Sequence, residues 1–266
     1  MPHSRLIHAM PVIAAAAATG ILGCTREVPV AEVEGECAEV HQAQLCTWAR
    51  VQGETVLAVG ATIPVAFVEN APDHDHMVWP PVGSATLRLP ESATQAAGLT
   101  EVTVFWEPSG HPPGPYLTPH FDFHFYTIPR DRRTSIDCSD LSKPAVMPEG
   151  YTLADVVLPP ELAEMAGTDT LVGLCVDEMG MHSLLTSELE STDTFRGSMV
   201  IGFYQGTPIF IEPMVTRALL MEQRSFDLPY PTIPGMEEPY PRAFQAEYDA
   251  DEQAYHFVFT DFAPGT

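Results

Sequence analysis

A segment reading His-Phe-Asp-Phe-His-Phe-Tyr, residues 120–126, holds the side chains best suited to chemistry. Successive residues of a β-strand point to opposite faces, so a strand here sends three phenylalanines to one face and His120, Asp122 and His124 to the other. Burial of each phenylalanine contributes about 1.5–3 kcal/mol and fixes the register. Imidazoles and carboxylates are ligands of first-row divalent ions, so the polar face predicts a metal site. A polar row facing solvent is the alternative.

Strand geometry limits how these three ligands can act together. Neighbours on one face lie about 6.8 Å apart, which lets two of them share an ion. His120 and His124 lie roughly 13 Å apart on a straight strand, so all three converge only if a bulge bends it. Otherwise Asp122 and one histidine bind the ion, and the other histidine contacts these ligands without binding the ion itself.

Further ligands must come from other segments. His182 lies just past a predicted strand, and Glu212 ends a predicted hairpin strand. We predict His120, His124, His182 and Glu212 as metal ligands, with Asp122 as a fifth ligand, a residue that orients a ligand, or a general base. Zinc is the expected ion, ahead of copper or manganese, and an open coordination position would let the ion activate a water molecule.

The first 23 residues predict an export signal. The apolar run at residues 10–22 is shorter than the about 20 residues of a membrane span and suits a signal-peptide core. It ends in Ile-Leu-Gly-Cys, which resembles the bacterial lipobox and implies cleavage after Gly23 and lipid attachment at Cys24. We therefore expect a lipid-anchored, extracytoplasmic protein of the cell envelope. An ordinary secretory signal is the alternative.

Composition excludes several classes of protein. The chain has 36 acidic and 12 basic residues and a formal charge of −24, which repels phosphate backbones and argues against a nucleic-acid partner. It has no Gly-x-Ser-x-Gly motif, no glycine-rich phosphate loop and no His-Glu-x-x-His motif, so the common hydrolase and nucleotide-binding patterns are missing.

The cysteine count agrees with export. Apart from Cys24, four cysteines remain, and an even number in an oxidising compartment indicates two disulfides. Of the three pairings we favour Cys37–Cys46, which is local, and Cys138–Cys175. Buried free thiols are the alternative.

The pattern of short strands and turns predicts an all-β fold, a sandwich or barrel-like structure with a few short helices and long proline-rich loops. We expect residues 24–49 to form a lipid anchor and tether with a local disulfide, and residues 50–262 to form one β-rich domain. The predicted elements include two strands in 55–69, strands at 85–89 and 102–106, a helix near 91–97, a helix at 160–166, a strand at 170–176, a hairpin of 198–204 with 208–212, a helix at 213–222 and a last strand at 255–260.

Three motifs suggest a family. GHPPGPYLTPHFDFHFY (110–126), MGMH (179–182) and GFYQGTPIFIEPMVT (202–216) resemble a bacterial family of exported domains of unknown function, typified by a sigma-E-controlled protein of Thermus. The resemblance spans roughly residues 50–262, and the family commonly has Trp where this chain has Ser183. It implies a mostly β, secreted domain able to form homo-oligomers, and it supplies no reaction. The polar residues that it marks are His111, His120, Asp122, His124, His182 and Glu212.

Two functions of different kinds follow from these patterns. The first is an exported lipoprotein that binds a divalent metal through a His/Asp/Glu cluster, with a metal-dependent enzyme as one form of it. The second is a non-catalytic structural or interaction lipoprotein, in oligomeric form, whose histidines satisfy hydrogen bonds at an interface. Capture of a small apolar ligand in a β cavity is a third function that the sequence leaves open.

Overall fold

The computed structural model describes residues 28–74, 81–193 and 195–262. The predicted signal sequence and Cys24 lie outside the described residues. Antiparallel strands make up most of the described chain and the helices are short, as the sequence predicts for an all-β fold.

The described strands are, in chain order, β1 (Val30–Val40), β2 (Ala43–Gln52), β3 (Thr55–Pro64), β4 (Ala85–Arg88), β5 (Glu101–Glu107), β6 (His120–Tyr126), β7 (Tyr151–Thr152), β8 (Val156–Val157), β9 (Thr170–Leu171), β10 (Met181–Leu185), β11 (Gly197–Tyr204), β12 (Thr207–Thr216), β13 (Ala243–Asp249) and β14 (Ala254–Thr260). The α-helices are α1 (Val65–Glu69), α2 (Glu91–Ala97), α3 (Arg130–Arg133), α4 (Pro160–Ala166), α5 (Thr186–Leu189) and α6 (Arg217–Leu220). Short 3₁₀ turns lie at Gly114–Tyr116 and Val172–Leu174. Among these helices, none has the length and apolar character that crossing a membrane requires.

Two large sheets and one small sheet organise the strands. One sheet has the order β1-β2-β3-β14-β13 and the other has the order β4-β5-β6-β12-β11-β10-β7, while β8 and β9 pair separately. Every pairing is antiparallel. β6 lies inside the seven-stranded sheet, between β5 and β12.

The phenylalanines of β6 join the two large sheets. Phe123 meets Phe257 of β14 with ring centroids 4.8 Å apart, and Phe125 meets Phe259 of β14 at 4.7 Å. These four side chains are buried in the main core. The odd face of β6 is therefore the inner face of a β-sandwich, as its alternation predicts.

The opposite face of the seven-stranded sheet is also covered. A second apolar cluster on this face includes Tyr126 of β6 and Met214 of β12, together with Leu158, Leu171 and Leu174 from the segment around β8, β9 and the following turn. The even face of β6 is therefore enclosed beneath these short elements, away from bulk solvent.

The N-terminal part of the domain is longer than predicted. Residues 30–49 form β1 and most of β2 rather than a tether, and the sheet thus begins about 20 residues before the predicted start at residue 50. The segment from 28 to 36 is acidic and mostly exposed because β1 is an edge strand. Its glutamates nevertheless recur at every second position, Glu32, Glu34 and Glu36, and the prediction of a tether overlooked this strand period.

Some of the other predicted helices and strands are confirmed and some are wrong. The helices at Glu91–Ala97 and Pro160–Ala166 and the β11–β12 hairpin are confirmed. The predicted second strand of 55–69 is wrong, because the chain after Pro64 forms α1. The predicted strand at 170–176 ends at Leu171 and continues as a 3₁₀ turn.

The helix predicted from Pro213 is also wrong. β12 runs through Pro213 to Thr216, and only Arg217–Leu220 is helical. Proline is unusual inside a sheet because it cannot donate to the ladder. Here the pairing with β6 resumes at Met214, opposite Asp122, in the register set by Ile211 and Phe125.

Both predicted disulfides are present. Cys37 and Cys46 are cross-strand partners on β1 and β2, and Cys138 is bonded to Cys175. The second bond fixes the loop after α3 to the turn that follows β9.

Candidate metal centre

The even face of β6 is buried, so the alternative of a solvent-facing polar row is wrong. His120, Asp122 and His124 each have 5% or less of their surface exposed. Buried imidazole and carboxylate groups need partners, because their transfer from water into an apolar interior is costly. The partners come from strands β12 and β10 and from one loop.

Sheet register brings Glu212 and His182 to His124. The β6–β12 pairing runs from Ile211 opposite Phe125 to Met214 opposite Asp122, which places Glu212 opposite His124. β10 is the third strand beyond β6, with β12 and β11 between them, and its residue His182 pairs with Gly202.

We call His124, His182 and Glu212 the inner triad. His124 Nε2 lies 3.3 Å from Glu212 Oε2, and the rings of His124 and His182 have centroids 5.4 Å apart. Each residue offers one ligand atom, and these three atoms lie within 4.8 Å of one another. All three side chains are buried. The inner triad could therefore hold a metal ion.

We call His111, His120 and Asp122 the outer triad. Asp122 Oδ1 lies 3.3 Å from His120 Nε2, and Asp122 Oδ2 lies 3.5 Å from His111 Nε2. The ligand atoms of this triad also lie within 4.8 Å of one another. His111 is in the loop before β6 and follows Gly110. The φ of +65° at Gly110 favours glycine, and a Cβ atom there would also lie 2.1 Å from the Tyr116 carbonyl oxygen.

The predicted ligands divide between the two triads. His124, His182 and Glu212 lie together, whereas His120 lies with Asp122 and His111. β6 thus distributes its even residues to two neighbouring groups, because a straight strand cannot aim residues 120 and 124 at one point. Strand periodicity gave no sign of His111, and only the Gly-His-x-Pro motif marked it.

The ring nitrogens are oriented for ligation. Nδ1 of His182 lies 2.9 Å from the Leu174 carbonyl oxygen, and Nδ1 of His120 lies 2.7 Å from the Thr118 carbonyl oxygen. A carbonyl can only accept, so Nδ1 carries the proton. In the neutral ring Nε2 then keeps its lone pair, which is the usual arrangement in metal-binding histidines. For His124, the Tyr126 hydroxyl oxygen is 3.1 Å from Nδ1 and can take the same role.

Several ligand atoms have no hydrogen bond within the described part of the chain. Glu212 Oε2, His120 Nε2 and Asp122 Oδ1 are buried and have no hydrogen-bond partner. Two ligands of a tetrahedral zinc ion lie about 3.3 Å apart when each bond is about 2.0–2.1 Å. The separations of 3.3 Å in both triads match that value.

Burial sets the protonation of the inner triad. It lowers the pKa of His124 to about 3 and the pKa of His182 to about 4, so both rings are neutral at neutral pH. Burial, helped by the charge of Asp122, raises the pKa of Glu212 to about 8. Without a cation the Glu212 carboxyl therefore holds a proton at neutral pH.

Charge pairing dominates the outer triad instead. Burial opposes ionisation of Asp122, but the imidazoles of His120 and His111 outweigh it and hold the Asp122 pKa well below its usual range. Burial likewise opposes protonation of His111, but the adjacent Asp122 carboxylate raises the pKa of His111 to about 9. The outer triad thus has charged groups where the inner triad has neutral ones.

A glycine and an aromatic ring hold the inner histidines in position. The Phe210 ring stacks on His124 with centroids 4.6 Å apart and planes at 4°, and it meets His182 at 5.1 Å. The ring lies over Gly202, where a Cβ atom would be 1.9 Å from Phe210 Cε1. Only glycine at this position leaves room for the ring.

Both triads border a cavity of about 560 Å³. Its polar wall includes four of the triad side chains, Asp122, His124, His182 and Glu212, and His111 lies at its edge. Its remaining walls are mostly apolar, with Phe105, Leu158, Leu174, Met179, Val200 and Met214 among them. This volume is in the range of small-molecule sites.

A third group of potential ligands lies on the other sheet. Asp249, Glu252 and His256 surround the β13–β14 turn, but Glu252 is exposed. Asp249 already accepts the backbone N–H groups of Asp251 and Glu252. This arrangement is typical of a solvated turn.

Comparison of the chain with protein-family models, characterised proteins and solved structures finds no match. The functional assignment therefore depends on the geometry of the site.

Proposed function

We propose that this protein binds a divalent metal ion through the inner triad, with zinc as the preferred ion. The observation that carries the proposal is the convergence of two neutral imidazoles and one carboxylate within 4.8 Å, in a buried position. Two histidines and a glutamate form a known catalytic zinc ligand set, and the two-histidine, one-carboxylate set also suits Fe(II).

The cavity supports an open coordination position. Three protein ligands leave at least one position of a tetrahedral ion unfilled, and the three ligand residues of the inner triad line the cavity. A water molecule bound there would ionise near neutral pH and become a nucleophile. Such a site suits metal-assisted hydrolysis of a substrate with apolar substituents, which is the enzymatic form of the proposal.

Metal analysis tests the binding proposal. The protein is purified without a histidine tag, stripped with chelator and reloaded with Zn²⁺, and bound metal is measured beside His182→Ala and Glu212→Gln variants. We expect both variants to lose bound metal. His41→Asn is the matched control, because it removes an imidazole outside both triads and asparagine tolerates the positive φ of 47° at that position. A wild-type protein without near-stoichiometric metal would contradict the proposal.

A second candidate function is the binding of a small apolar ligand, favoured by the cavity walls. The test is titration with an environment-sensitive apolar dye, with and without Zn²⁺. A Val200→Trp substitution should fill the cavity and abolish dye binding, whereas dye binding that is unchanged by this substitution would rule out the cavity as the ligand site.

We further propose that the protein is exported and lipid-anchored through Cys24. The two disulfides support an oxidising compartment. In cells of a bacterial host, Cys24→Ala should move the protein from the membrane fraction to the soluble fraction, and mass spectrometry of the mature N-terminus should find lipid on Cys24. An N-terminus elsewhere would contradict the anchor. Homo-oligomer formation, which the motif resemblance implies, is measured on the same material by light scattering.

A further inference from the structure

We infer that the outer triad binds a second divalent ion, so that the protein carries two neighbouring metal sites. The first support is geometric. The Asp122 carboxylate lies between two imidazoles, with one oxygen 3.3 Å from His120 Nε2 and the other 3.5 Å from His111 Nε2. These are the separations expected of atoms that share one ion.

The proton positions give a second support. Nδ1 of His111 lies 2.9 Å from the Pro112 carbonyl oxygen, and Nδ1 of His120 lies 2.7 Å from the Thr118 carbonyl oxygen. Both carbonyls accept the Nδ1 proton and direct Nε2 toward Asp122. Backbone carbonyls perform this orienting role at established metal sites.

Unsatisfied buried atoms give a third support. His120 is fully buried, and its Nε2 has no hydrogen-bond partner among the described residues, as is also true of Asp122 Oδ1. Buried polar atoms in native proteins nearly always have a partner. One cation between these two atoms would satisfy both.

Strand spacing indicates two separate sites. Asp122 and His124 are neighbours on one face of β6, so ions at the two triads would lie about 7 Å apart. Ions that share a bridging oxygen lie about 3.5–4 Å apart, so we expect independent ions rather than a bridged pair. Each triad supplies one carboxylate, which offsets one of the two charges of its ion.

The outer site also has a route for ion entry. The His111 side chain is 31% exposed and borders the cavity, whereas His120 and Asp122 lie behind it. His111 is therefore the ligand that can move aside without disturbing β6, and it is the best position for a test substitution.

The experiment counts bound ions in the whole protein. Chelator-stripped, untagged protein is dialysed against Co²⁺ and separately against Zn²⁺ at about pH 8, where metal competes well with protons. Metal content is measured for the wild type, His111→Ala, Asp122→Asn, Glu212→Gln and the control His41→Asn. Visible Co²⁺ absorption is recorded for each, because its intensity reports coordination geometry. Circular dichroism confirms that each variant is folded.

We expect two ions per chain in the wild type and in His41→Asn, and one ion in His111→Ala and in Glu212→Gln. The residual Co²⁺ spectra of these two variants should differ and should sum to the wild-type spectrum. One ion in the wild type, lost in Glu212→Gln but kept in His111→Ala, would overturn the second site and leave the proposed function intact. One ion in the wild type, lost in His111→Ala but kept in Glu212→Gln, would support the outer site and contradict the proposed function of the inner triad. Asp122→Asn repeats the test if His111→Ala fails to fold.

Discussion

His124 Nε2 and Glu212 Oε2 lie 3.3 Å apart on neighbouring strands, and no hydrogen bond joins them. Two buried atoms whose lone pairs face each other are stabilised by a cation or a proton between them. Burial raises the pKa of Glu212 to about 8, so in the metal-free protein a proton on Glu212 takes that place. Metal and proton therefore compete for one carboxylate, and this competition has measurable consequences.

Metal affinity of the inner triad should rise with pH. Binding must release the Glu212 proton below about pH 8, whereas His124 and His182, with pKa values of about 3 and 4, are already neutral. We expect about a tenfold gain in affinity per pH unit from about pH 6.5 to about pH 8, then a plateau. Competition titration in the His111→Ala background isolates this site. A flat profile over the same range would show that Glu212 is already ionised.

The stability of the metal-free protein should fall as pH rises from about 6.5 to about 8. The folded-state pKa of His111 is raised to about 9, so its contribution is complete below the unfolded value of 6.5 and is lost as pH rises through 9. Glu212 has the same sign, because the folded protein keeps a proton that the unfolded chain releases above its model value of 4.5. Each excess proton lowers the free energy of unfolding by about 1.4 kcal/mol per pH unit.

Urea denaturation of stripped protein at several pH values measures this slope. Glu212→Gln is the matched variant, since glutamine resembles the protonated carboxyl and should remove only the Glu212 part of the slope. Stability that rises across this window in the stripped wild type would contradict the assignment of both protons.

Gly202→Ala should disturb the inner triad without touching a ligand. The added methyl would lie 1.9 Å from the Phe210 ring, which stacks on His124 and must then move. We expect a loss of about 1–3 kcal/mol in the free energy of unfolding, as in other overpacked cores, together with weaker metal binding. Gly114→Ala is the control, because a Cβ atom there meets nothing within 4 Å. Equal behaviour of the two variants in denaturation and metal titration would count against this role of Gly202.

The two disulfides should differ in their effect on metal binding. Cys138–Cys175 holds the residue next to Leu174, whose carbonyl oxygen accepts the His182 Nδ1 proton at 2.9 Å. Cys37–Cys46 lies on the edge of the other sheet. Replacing either pair with serines should cost about 2–4 kcal/mol of stability. Only the Cys138→Ser/Cys175→Ser protein should also bind metal more weakly, as measured by titration below its melting temperature.

The sequence predicted the parts of the site that depend on local periodicity. Alternation along residues 120–126 predicted which face of β6 enters the core, because burial of three phenylalanines on one face fixes the register. It also predicted that His120 and His124 are too far apart to share an ion easily. The predicted four-ligand set nevertheless joined them, and the structure separates them into two triads.

The missed parts depend on tertiary contacts. Pro213 normally marks a helix start or an edge, but the paired strands on both sides of β12 hold it in a central strand. Glutamates alternate with small or apolar residues along the first part of β1, but most of these residues stay exposed, so burial did not mark the strand. Its pairing with β2 depends on residues of β2. His111 lies 3.5 Å from Asp122 in a loop where Gly110 packs against the backbone of Tyr116 and Thr118. No local sequence pattern predicts this contact between His111 and Asp122.

All seven residues of β6 are buried, but substitutions on its two faces should impair different properties of the protein. At the odd positions a polar replacement should leave little folded protein at any metal concentration. At the polar even positions a conservative replacement should leave protein that folds but no longer retains its ion. A substitution scan scored separately for abundance and for bound metal would therefore produce two interleaved profiles along one strand, each the complement of the other.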